Sequence, residues 1–148
     1  GALTAADATM TPRLFRNDPA SSCDAPQTCS TSDSATFYYD AHWYMNNDSH
    51  QQCVTVTLDP QTCTGSPTFL HSAAYTAFNP SSICDNYLAD IGSSPFGPAS
   101  YSFVVQPWQT YYVMVGVTTS GVECPGYRLT VKADNCSLKH NFLPVTLR

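Results

Sequence analysis

Between Phe37 and Met45 the side chains alternate with a period of two. Phe37, Tyr39, Ala41, Trp43 and Met45 fall on one face, and Tyr38, Asp40, His42 and Tyr44 on the other. Only an extended strand places every second side chain on the same side, so the segment predicts a β-strand, with Trp43 in the core. The pattern recurs at residues 53–58, where Asp59-Pro60 ends it, and at residues 101–105 and 111–117, joined through Gln106-Pro107-Trp108-Gln109. Residues 126–131 repeat it with Tyr127, Leu129 and Val131 inward. Residues 69–78 fit a strand or a short helix up to Asn79-Pro80, residues 83–89 are a short apolar run, and Val145 and Leu147 suggest a last strand. Ten of the eleven acidic residues are Asp and only two residues are Lys, so the usual solvent-facing helix formers are scarce. The expectation is an all-β chain: an antiparallel, jelly-roll-like β-sandwich of about seven to nine strands.

Seven cysteines (Cys23, Cys29, Cys53, Cys63, Cys84, Cys124 and Cys136) occur without any C-x-x-C pair. Zinc sites use close Cys or His pairs, so these spacings favour disulfides and an oxidising, extracellular or periplasmic compartment. An odd count leaves at least one thiol without an internal partner. A net charge of −5 with six Lys plus Arg provides no phosphate-neutralising surface, which argues against nucleic acid. No apolar run is long enough for a transmembrane span. The start at Gly1-Ala2-Leu3-Thr4 reads as a processed mature form. Residues 1–34, rich in Ala, Thr, Ser, Asp and Pro, read as an extended arm followed by a stapled loop, and residues 35–148 as the sandwich domain.

No G-x-S-x-G, H-E-x-x-H, S-x-x-K or Walker motif is present, and Pro95 spoils the serine-motif look of residues 92–97. His42 falls on the polar face of its strand, where a solvent-facing role is the plainer reading; a hydrolase would need a Ser or Asp within reach of His42 or His71. The chain is therefore expected to be non-catalytic, with no cofactor required. Calcium is the one ion with candidate donors, among them Asp40, Asp48, Asp85 and Asp90, although turn capping explains these Asx residues at least as well. Among the aromatics, Trp108 and Tyr112 are the candidates for stacking on a ligand. Asn47-Asp48-Ser49 and Asn135-Cys136-Ser137 match the glycosylation sequon.

Residues 39–131 carry a further pattern: Gln52-Cys53-Val54-Thr55-Val56, Ala73-Ala74-Tyr75, residues 84–92 from Cys84-Asp85-Asn86-Tyr87, Tyr101-Ser102-Phe103-Val104-Val105, and Cys124-Pro125-Gly126-Tyr127-Arg128-Leu129-Thr130-Val131. This layout resembles the bacterial pre-peptidase C-terminal and proprotein-convertase P-like β-sandwiches. The resemblance implies a secreted accessory, adhesive or substrate-binding module, in some relatives calcium-binding, with Cys53, Cys63, Cys84 and Cys124 as its own cysteines. Alongside it the expected pairing is Cys23–Cys29, Cys63–Cys84 and Cys53–Cys124, with Cys136 left for a link between chains; other pairings remain open. The leading expectation is a structural subunit of a cell-surface filament or layer. Its N-terminal arm would add a strand to a neighbouring copy through Leu3, Met10, Leu14 and Phe15. The alternative is an adhesion module that binds carbohydrate, such as a surface polysaccharide, or protein.

Overall fold

The computed structural model describes residues 1–32 and 34–135. These contain ten strands and no helix: β1 (Thr9–Met10), β2 (Arg13–Leu14), β3 (Thr31–Ser32), β4 (Phe37–Met45), β5 (Gln52–Asp59), β6 (Leu70–Tyr75), β7 (Tyr87–Asp90), β8 (Ala99–Val105), β9 (Thr110–Val117) and β10 (Arg128–Asn135). Every pairing is antiparallel. One sheet has the order β1-β4-β9-β6-β7, a second β10-β5-β8, and β2 and β3 form a small ribbon. The all-β antiparallel fold expected from the alternation is present, and residues 69–78 resolve as strand β6. The predicted strand at Val145 and Leu147, the thiol of Cys136 and the sequon that includes it lie outside the described residues.

The main core lies between the two larger sheets. Val54, Val56, Leu58, Tyr101, Phe103 and Val105 come from the three-stranded side, and Leu70, Ala74, Tyr111, Val113, Val115 and Val117 from the other; all are buried. Phe103 and Tyr111 meet edge to face at 5.5 Å, and the Ser72 and Tyr101 hydroxyls hydrogen-bond at 2.9 Å. Cross-strand partners share a face, so the pairs Asp40–Val115, His42–Val113 and Tyr44–Tyr111 put the polar set of β4 toward the core side. Trp43 therefore points outward and is 68% exposed, not buried as expected. Alternation defines two faces without saying which is inner. Here the inward polar set sits at the open side of the sandwich, where its polar tips stay close to solvent and to Tyr127, which donates to Asp40 at 2.8 Å.

The outer face of the five-stranded sheet is apolar too, and part of the N-terminal segment lies over it, with Met10 against Gly116. Leu3, Met10 and Leu14 are buried in the protein's own core, and only Phe15 of the four expected arm anchors is substantially exposed, at 44%. Leu3 bridges to Cys124, β1 pairs with the start of β4, and Ser21 bonds the backbones of both Asp90 and Ser102. Residues 1–32, expected as an extended arm followed by a stapled loop, make these contacts with the sheets. Met10 lands over Gly116, on a sheet face that would otherwise face water, and burial of each such apolar side chain contributes about 1.5–3 kcal/mol.

Two disulfides tie the N-terminal segment to the sheets, Cys23–Cys53 and Cys29–Cys84, and a third, Cys63–Cys124, joins the loop after β5 to the loop before β10. The six cysteines named from sequence are bonded, but the connectivity differs from the expected Cys23–Cys29, Cys63–Cys84 and Cys53–Cys124. After the turn that closes with the Ser22–Ala25 bridge, residues 26–30 run without strand or turn. Extended chain advances roughly 3.3 Å per residue, which carries Cys29 beyond bonding distance of Cys23 and toward Ile83, whose carbonyl its sulfur approaches at 3.8 Å.

The cover also depends on Gly92. Its φ is +71°, and an added Cβ would lie 2.1 Å from the Asp18 carbonyl oxygen, a backbone atom that cannot swing aside. Gly92→Ala is expected to cost more than about 2 kcal/mol from strain and overlap together, measured as a lower midpoint in chemical denaturation.

Candidate functional site

Two features stand out on the surface: an open strand edge, and a pocket under the N-terminal cover. The edge belongs to β4. β1 pairs only with Phe37 and Tyr38, and the Tyr39 amide donates to Ala8 on that same side. At the other end the Asn46 amide donates to Gln109, which follows the β9 side. Strand amides alternate in direction, so those of Ala41, Trp43 and Met45 point away from β9, into the open edge. Residues 41–45 carry no charge and no proline. On the outer face Trp43 stands opposite Tyr112 in register, and Met45 is 41% exposed. A long, uncharged edge with apolar neighbours is what natural sheets usually blunt with Lys, Pro or a bulge.

The pocket, of about 240 Å³, lies where the start of β6 meets the loop after β7, with Arg13, Phe15, His71, Ser93, Phe96 and Thr118 among its walls. Phe69 and Phe96 pack edge to face at 5.1 Å, and Phe96 is 76% exposed. The Arg13 guanidinium stands over the Phe15 and Phe37 rings at 5.2 and 5.5 Å. His71 is buried, and its Nε2 has no hydrogen-bond partner among the described residues. Burial pushes its pKa down to about 4; Asp90 opposes the shift, while Arg13 and Arg16 add to it. The ring is therefore neutral at pH 7.

Behind this wall Arg16 and Asp90 form a buried ion pair at 2.7 Å, with side chains 4% and 0% exposed. Arg16 also donates to the Pro19 carbonyl and the Gln27 side chain, while Asp90 accepts from Tyr87 and from the Gly92 amide. Hydrogen bonding to Asp90 raises the Arg16 pKa, and burial followed by the same carboxylate raises that of the Tyr87 hydroxyl. Asp90, proposed from sequence as a calcium donor, is thus committed to a guanidinium.

The other calcium candidates lie apart. Asp40 accepts from Tyr127, Asp48 pairs with His50 in the turn after β4, and Asp85 is exposed near Cys84. Among the described residues no three His, Cys, Asp or Glu side chains gather in a way that could hold a metal ion. His42 approaches the Tyr127 hydroxyl at 3.4 Å, and neither it nor His71 hydrogen-bonds a Ser or Asp among the described residues. Trp108 is 60% exposed in the β8–β9 turn with φ +61°, an unusual conformation for a bulky side chain. Tyr112 is half-buried beside Trp43, and no ring contact joins it to Trp108 among the described residues. Phe69 and Phe96 were not singled out from sequence; the available signal was a phenylalanine held between Pro95 and Gly97 in a loop, where an aromatic ring has little chance of burial.

No family model, curated protein or solved structure matches this chain.

Removing Arg16 alone leaves the Asp90 carboxylate buried without its cation. Arg16→Leu should cost about 3–5 kcal/mol, and Arg16→Leu with Asp90→Leu considerably less, as read by urea denaturation. The depressed His71 pKa means that the unfolded chain, with a His pKa near 6.5, binds the proton first. Its contribution to stability is therefore full above pH 6.5 and is lost as the pH falls toward 4, amounting to about 3 kcal/mol. Thermal unfolding followed across that range should show a flatter acid limb for His71→Gln than for the parent.

Proposed function

We propose that this chain is a secreted, non-catalytic structural subunit whose copies join by strand addition along the open edge of β4. The observation that carries the reading is the set of outward amides at Ala41, Trp43 and Met45, on a stretch with neither charge nor proline to repel an incoming strand. Main-chain hydrogen bonds would supply affinity, and the exposed Trp43 and Met45 side chains would supply the apolar contact. The occupant is a second copy of the chain. Copies that each carry a net charge of −5 repel one another, and the stretch they bring together in this arrangement is neutral on both sides.

Three disulfides are consistent with an extracellular protein. The resemblance to pre-peptidase C-terminal and P-like modules, which are mostly non-catalytic, supports the same side. In the form expected from sequence, the N-terminal arm is the donated strand. The same buried anchors, Leu3, Met10 and Leu14, would then serve as an exchanged element, leaving one core for the equivalent place in a neighbour. The adhesion alternative is favoured by one observation, the exposed Trp108 ring held at a positive φ.

Sedimentation velocity and negative-stain microscopy of the full chain test the assembly reading. Ala41→Lys and Trp43→Lys place a charge on exposed positions and should weaken self-association at least about tenfold, with unchanged circular dichroism. A parent protein that stays monomeric at high concentration, or lysine variants that assemble as well as the parent, would overturn it.

A further inference from the structure

We infer that the pocket bounded by Phe15, Phe69, Phe96 and His71 is a binding site for a single pyranose ring of a glycan. Its walls divide by chemistry. Phe96 and Phe15 hold apolar ring faces in solvent at the rim, 76% and 44% exposed, and Phe69 braces Phe96 from the side. The remainder is polar. Ser93 donates to the Asn17 side chain at 3.1 Å and Thr118 to the Phe69 carbonyl at 3.1 Å, so each hydroxyl is fixed as a donor inward and keeps its acceptor lone pairs. His71 forms part of the lining, and its buried Nε2 lacks a partner among the described residues.

A buried polar atom without a partner is costly, and the residue that carries it is part of the pocket wall. A ligand for this site therefore needs an apolar face for the phenylalanines and a perimeter of groups that bond to a neutral imidazole in either tautomer, directly or through one water. Hydroxyls meet the second requirement because each both donates and accepts. A pyranose joins a C–H face to a rim of hydroxyls. Size points the same way: about 240 Å³ falls below the 300–1,000 Å³ typical of pockets for larger organic ligands, which leaves room for one ring.

This site is separate from the β4 edge, so its test is run on the Ala41→Lys protein, where the outcome does not depend on assembly. Saturation-transfer NMR is recorded with the methyl glycosides of a neutral hexose, an N-acetylhexosamine and a hexuronic acid, while the His71 ring nitrogens are followed in a ¹⁵N-labelled sample. Saturation of at least one glycoside, with a shift of the His71 nitrogens, is the expected result; binding of the hexuronate alone identifies the acidic sugar. Phe96→Ala should weaken binding at least about tenfold, Phe96→Trp should restore it, and Trp108→Ala should leave it unchanged. The inference is overturned if none of the three glycosides receives saturation at millimolar concentration. It is equally overturned if binding survives Phe96→Ala or is lost with Trp108→Ala.

Discussion

The central sheet is apolar on both faces, and most of the architecture answers that constraint. All six residues of β6 are buried, although a strand with one wet face would alternate. β9 behaves similarly, with Val113, Met114 and Val115 consecutive and buried. One face is closed by the three-stranded sheet in the ordinary manner of a sandwich. The other has no comparable sheet, and part of the N-terminal segment lies over it. Met10 lies over Gly116, close enough that a Cβ there would come within 2.5 Å of the Met10 methyl carbon. The Arg16–Asp90 pair and the disulfides then keep a segment with little regular structure of its own in place. The cover stops short of Trp43 and Met45, and the bare β4 edge begins where it ends.

Much of the strand layout was legible in the sequence because alternation is a local property. The segments ending at Met45, Asp59, Val105 and Val117 emerge near their predicted positions, and Asn46 caps its turn by accepting from the Asp48 amide at 2.9 Å, as short polar side chains do. The choice of inner face was not legible. Whether Trp43 or Tyr44 faces the core depends on which neighbour lies across the sheet, and the hydrophobic count along β4 points the wrong way. Disulfide connectivity was hidden for a related reason. Closeness in sequence joins Cys23 to Cys29, yet an extended segment separates them and each meets a partner brought near only by the tertiary fold.

The pocket was legible only in fragments. His71 entered the sequence reading as a candidate partner for a nucleophile, and residues 92–97 as a misleading serine motif. Their shared site appears once the loop after β7 folds over the start of β6, a contact no local pattern announces. Asp90 shows the opposite risk. As an acidic residue near a turn it has the composition of a cation ligand, and only its burial against Arg16 assigns it to holding the cover in place.

The disulfides also define a load path. Tension applied across residues 23 and 124 enters β5 through Cys23–Cys53, runs along that strand and the turn after it to Cys63, and leaves through Cys124. β5 is the middle strand of its sheet, flanked on both sides by β8 and β10. The loops that close between Cys23 and Cys53 and between Cys63 and Cys124 are bypassed, so most of the sandwich is shielded from stretching. Under such a pull the molecule would behave as a short, stiff link, with its slack stored behind covalent bonds.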